Sequence, residues 1–148
     1  MAKFQTKAFT NVKPIILPRD ASVMLVPVDV EFKATTYAIG DLIEICELPI
    51  GVKCVDWAIS FPDIDSNAAP TLAYSLGIEN VGGTDLGTEV WGAALTAGQS
   101  TAIVRNASSV SAQGDTTAVR KLALKVTTAA ATYAGAGKTG QILLALQA

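Results

Sequence analysis

The chain of 148 residues contains no histidine, and that absence removes more chemistry than any other feature of the sequence. Histidine is the side chain whose charge changes near neutral pH. Without it the Ser-His-Asp and Cys-His arrangements and nearly all catalytic zinc sites are excluded. Cysteine is scarce as well: Cys46 and Cys54 are too few for a disulfide framework and poor zinc ligands without an imidazole. They are expected as reduced thiols on a strand surface, because a cytoplasm is reducing. Charged residues make up only 16% of the chain and aromatics 6%, and although half of the residues are apolar, no run approaches the ~20 that a membrane helix needs. Met1 to Lys7 lacks the apolar centre of a signal peptide. The expectation is a soluble protein made in a cytoplasm, with no membrane partner.

The motifs that suggest chemistry fail on inspection of their neighbours. Asp63-Ile64-Asp65-Ser66-Asn67 places oxygens at the first, third and fifth positions of a calcium loop, but Ala68 stands where the glycine is needed and Tyr74 where the bidentate glutamate is needed. A polar turn closed by Asx-type hydrogen bonds is expected instead. Gly137-Lys138-Thr139 resembles the end of a phosphate loop, yet Thr132 replaces its first glycine and a strand follows where a helix must open. The carboxylate pairs Asp63 with Asp65 and Glu44 with Asp56 have no cleft with aromatic platforms around them. No catalytic, cofactor-binding or metal-binding residue is assigned, and the protein is not expected to be an enzyme.

What is present is an alternation of apolar and polar residues in short segments. Val28, Val30 and Phe32 share one side of a strand that Pro27 marks as an edge or a bulge. Leu72, Tyr74, Leu76 and Ile78 share one face of another, and further strands run over Thr101–Arg105, Arg120–Thr127 and Gly140–Gln147. Leu42–Leu48 and Val52–Trp57 flank Pro49-Ile50-Gly51, whose proline and glycine suit a three-residue hairpin loop. That hairpin sets Glu47 against Lys53, Cys46 against Cys54 and Ile45 against Val55, with Ile43, Ile45, Val55, Trp57, Ile59 and Phe61 on the core face. It also opposes Glu44 to Asp56, a like-charge pair that calls for a lysine from a neighbouring strand or subunit. Leu86, Val90, Trp91, Ala94 and Leu95 have the spacing of a short helix capped by Asp85.

Seven strands and at most one short helix predict an all-β antiparallel sandwich, jelly-roll-like, over residues 22–148. Residues 1–21, with Pro14 and Pro18 around Ile15-Ile16-Leu17, read as an extended N-terminal arm. Net charge is −2 overall but +3 over residues 1–20, −1 over 21–40, −8 over 41–90 and +4 over 91–148. That separation suits head-to-tail contact between copies or docking on an acidic partner. Nucleic acid is not an expected partner, because no basic cluster is interleaved with aromatics. Ile15, Ile16, Leu17 and Arg19 of the arm and Trp91 are the expected interface residues.

Ile39-Gly40-Asp41-Leu42-Ile43-Glu44, Leu48-Pro49-Ile50-Gly51, Asp63–Asn67, Pro70-Thr71-Leu72 and Leu76-Gly77 together resemble the small virion proteins of tailed bacteriophages, the capsid decoration or cement class. Ala94–Gln99 and Gly140–Leu144 are similar in placement, so the resemblance spans residues 37–147. It implies a β-sandwich made in the host bacterial cytoplasm that binds, as a homo-oligomer (dimer or trimer), to the outer surface of the virion. There it would stabilise contacts between major capsid protein subunits. The alternatives are a head fibre base or head-tail joining protein of the same virion, and a carbohydrate-binding sandwich.

Overall fold

A computed structural model describes residues 1–10, 14–15, 22–106 and 116–148. Among these residues there is no helix, and the strands are β1 (Lys3–Gln5), β2 (Val23–Glu31), β3 (Leu42–Leu48), β4 (Lys53–Phe61), β5 (Ala73–Glu79), β6 (Leu86–Leu95), β7 (Ala102–Arg105), β8 (Arg120–Thr128) and β9 (Thr139–Gln147). They form a five-stranded sheet in the order β1-β3-β8-β5-β6 and a four-stranded sheet in the order β2-β9-β4-β7. Every neighbour pair is antiparallel except β1 with β3. The eight strands β2 to β9 thus have the two-sheet connectivity of a jelly roll, in which the first and last strands of the set lie side by side.

Alternation explains which sides meet. Val26, Val28 and Val30 of β2, Ile59 and Phe61 of β4 and Ile142, Leu144 and Leu146 of β9 line one layer. Ile43, Leu48, Leu72, Tyr74, Leu76, Leu122 and Leu124 line the other, all buried. Edge-on ring contacts between Phe32 and Phe61 (5.0 Å between centroids) and between Phe61 and Tyr74 (6.0 Å) tie the layers together. β2 is an edge strand, as Pro27 requires, and its ladder to β9 runs through Pro27 without a bulge.

The β3–β4 hairpin is not formed. The turn chemistry is as expected, with Gly51 at φ 84° and the Val52 N–H donating to the Pro49 carbonyl. The turn nonetheless carries the chain from one sheet to the other, so β3 pairs with β8 and β4 with β9. Both strands are apolar on one side, and facing each other across the core buries both sides. Glu47 keeps an opposite charge beside it, but this is Lys121 and not Lys53. Bulges at Ile45 and Val55 each insert one residue into the alternation and leave Cys46 and Cys54 in the interior, off the expected surface.

The helix expected near Asp85–Ala97 is strand β6. Its ladder to β5 slips at three places, and Ala94 adopts a positive φ of 52°. These irregularities put the inward side chains Trp91 and Leu95 four residues apart, which imitates a helical period. Lys3–Gln5 of the N-terminal arm join their own sheet beside β3, and Phe4, Ala8 and Ile15 pack on the core.

Candidate functional site

Of the expected interface residues, Ile15 and Trp91 fall among the described residues. Trp91 is only 7% exposed, and its Nε1–H donates to Glu89 Oε1 at 2.9 Å, so its own domain occupies the ring and it is not available as an anchor. Ile15 is half-buried beside Lys7, Ala8, Pro27 and Glu31. Ile16, Leu17 and Arg19 lie outside the described residues.

The polar clusters that the sequence singled out are built into the scaffold. Asp65, 1% exposed, accepts from the N–H groups of Thr71 (2.8 Å), Leu72 (3.1 Å), Ala131 (3.1 Å) and Thr132 (2.8 Å). Burial by itself would raise its pKa, but the hydrogen bonds outweigh burial and hold the carboxyl below its ordinary value. Asp63 and Asn67 close the same turn by accepting from Asp65 N–H and Ala69 N–H. The turn is the Asx-type structure expected.

The like-charge pair expected around Glu44 exists with another partner. Glu44 and Glu79, both buried, share the Lys3 ammonium at 2.7 and 2.8 Å, and the Gln5 amide donates to the second Glu44 oxygen at 2.6 Å. The lysine comes from a neighbouring strand, β1, while Asp56 sits on the outer face of the other sheet. Burial favours the neutral form of both carboxyls. In Glu44 the Lys3 and Gln5 bonds overcome burial and lower the pKa, whereas in Glu79 burial and the Glu44 charge overcome Lys3 and raise it.

Sequence reasoning missed exposed apolar residues at the loops. Ile50, in the turn between β3 and β4, is exposed, as is Val119, one residue before β8. A hydrogen bond from Gly51 N–H to the Thr116 carbonyl (2.9 Å) holds these segments together at one end of the sandwich. Val81 projects fully from the β5–β6 loop, which Asn80 fixes by accepting from the N–H of Thr84. A surface depression of about 350 Å³ lies beside Ile78, Glu89 and Arg120, at the low end of the ~300–1,000 Å³ typical of ligand pockets.

Comparison with known proteins finds neighbours in structure only. No family model matches the chain, and no curated protein matches it by sequence. A chain in the capsid of Ralstonia phage GP4 is similar with a TM-score of 0.82 and 27% identity, covering 98% of this chain and 97% of that one. A chain of the cyanophage Pam1 capsid asymmetric unit has a TM-score of 0.56 and 21% identity over 84% of this chain and 83% of its own, a likeness of fold alone. The structural neighbours of this chain are phage capsid proteins, in keeping with the resemblance carried by residues 37–147.

Proposed function

We propose that this chain is a non-enzymatic structural protein of a tailed-phage head, decorating the outside of the shell and clamping adjacent subunits of the major capsid protein. The observation that carries this reading is the end-to-end match to a chain of the Ralstonia phage GP4 capsid at a TM-score of 0.82. Nearly the whole of each chain is covered, so the likeness is between whole domains and not a shared fragment.

The described surface supports the same reading. Ile50 and Val119 are exposed on segments that the Gly51 N–H to Thr116 carbonyl bond holds together at one end of the sandwich, where apolar side chains suit contact with another protein. Ile16, Leu17 and Arg19 remain the proposed contacts from the N-terminal segment. Many copies per particle make a standard interface of ~800 Å² per partner enough to stabilise a shell by mass action.

The test is cosedimentation of the purified chain with expanded empty capsids. Wild type should pellet with the shells, Ile50→Asp with Val119→Asp should weaken binding at least about tenfold, and Ile16→Ser with Leu17→Ser should weaken it further. Absence of wild-type binding would overturn the proposal. Copy number separates the alternatives within the virion: hundreds of copies fit a cement protein, and about a dozen fit a fibre base or head-tail joint.

A further inference from the structure

We propose that the outer face of the four-stranded sheet seats a second copy of this chain, the two sheets packing face to face about a two-fold axis. The register of the sheet places the outward side chains in rows. One row crosses from Leu25 on β2 to Ala145 on β9 and Asp56 on β4, and the next from Pro27 to Leu143, Ala58 and Arg105 on β7. An outer sheet face is ordinarily polar in a soluble sandwich. Here the centre of the face is apolar: Leu25 is 64% exposed, Pro27 is exposed, and Leu143 and Ala58 are half-buried around the small, buried Ala145. Between them lies a shallow depression of about 240 Å³ lined by Leu25, Asp56, Ala58, Arg105, Leu143 and Ala145.

The charges at the margin decide the occupant. Asp56 and Arg105 both point outward on adjacent rows, and neither has an ion-pair partner within 4 Å among the described residues. Asp56 only accepts from its neighbour, the Trp57 N–H, at 2.8 Å. A two-fold axis crossing the strands between the two rows sets Leu25 against Pro27 of the second copy and Ala145 against Leu143 of the second copy. The same operation brings Arg105 of each copy beside Asp56 of the other, twice. The face is therefore complementary to itself in both shape class and charge, which a closed two-fold contact requires. Three nine-residue strands and the four-residue β7, ~4.8 Å apart with ~3.3 Å per residue, give roughly 500 Å² of projected face, on the order of the ~800 Å² per partner of a standard interface. The arrangement of an apolar centre inside a charged margin is that of protein interfaces. This inference goes beyond capsid binding and does not need it.

Sedimentation equilibrium of the full chain over a range of concentrations tests it. Wild type should fit a monomer–dimer equilibrium, and Leu143→Glu should weaken dimerisation at least about tenfold while leaving unchanged the thermal midpoint measured at a dilution where both proteins are monomers. Asp56→Arg and Arg105→Asp should each weaken the dimer, and the double variant should recover it. A wild-type monomer at every concentration, a trimer, an unaffected Leu143→Glu variant or a double variant without recovery would each overturn the proposal. Cosedimentation with empty capsids, run in parallel, separates this idea from the proposed function. A wild-type monomer whose shell binding falls on Leu143→Glu assigns the face to the shell protein and ends the dimer alone. An intact dimer that ignores capsids ends the proposed function alone.

Discussion

Asp65 joins the β4–β5 and β8–β9 loops by accepting four backbone N–H groups on one carboxylate. Asp65→Ala would leave those donors buried without an acceptor, and a loss of about 2–4 kcal/mol is expected in urea unfolding. The same carboxyl makes stability depend on acid. Its folded pKa lies below the unfolded value, so its contribution is full above the ordinary carboxylate range and is lost as pH falls through the folded pKa. Melting temperature should therefore fall as pH drops below the ordinary carboxylate range, about pH 4, and should fall less in Asp65→Asn, which starts lower. The residue was legible because aspartate in a Pro- and Asn-rich turn has few other uses. Cysteine was not. Alternation alone puts Cys46 and Cys54 outside, but they are buried, and burial pushes both thiols up to about 12. Native protein should react with thiol reagents at neutral pH at a small fraction of the rate seen in denaturant.

At the scale of elements, β1 is only three residues long, too short to hold itself by backbone pairing. Lys3 secures it by satisfying Glu44 and Glu79 together, and the Ala2 N–H adds a bond to Asp41 at 2.8 Å. Lys3→Met should cost about 1–3 kcal/mol, less than a fully buried pair because the lysine is one-third exposed. Adding Glu79→Gln should recover part of that loss, since it removes one of the two carboxylates left without a cation. Chemical denaturation of the single and double variants checks both expectations. β6 shows why some elements escape a reading of the sequence. Its alternation is broken by bulges, and its contribution to the core includes a space: a Cβ on Gly92 would sit 2.9 Å from Trp57 Cζ2. Gly92→Ala should destabilise by about 1–3 kcal/mol through displacement of the indole, a shift that near-ultraviolet circular dichroism would report. β2 was legible, because it keeps a two-residue period along a ladder to β9 that has no register shift.

At the scale of the molecule, the sandwich and its jelly-roll character followed from the number of short strands and the polar turns between them. Pairing did not follow, and the β3–β4 turn shows the reason. Loop chemistry fixes how tightly the chain reverses, but not whether the returning strand joins the same ladder or crosses the core. That choice depends on which faces need covering, and here both strands had one to cover. The candidate contact surface was legible only in part. Trp91 was chosen for its size, yet size alone cannot tell a core ring from an anchor, while Ile50 and Val119 become visible as a pair only once the turn and the start of β8 are brought together.

The ladder between β2 and β9 has a kinetic consequence. β2 lies at an edge, and its sole neighbour is the strand nearest the far end of the chain. During synthesis an apolar strand near the start must wait, unpaired, until Thr139–Gln147 leaves the ribosome. The complete sheet therefore forms only after β9 is available, and refolding belongs on the millisecond-to-second scale of nonlocal β topologies. Until then the strand is open to the wrong neighbour, so high-level expression should be the condition under which this chain aggregates.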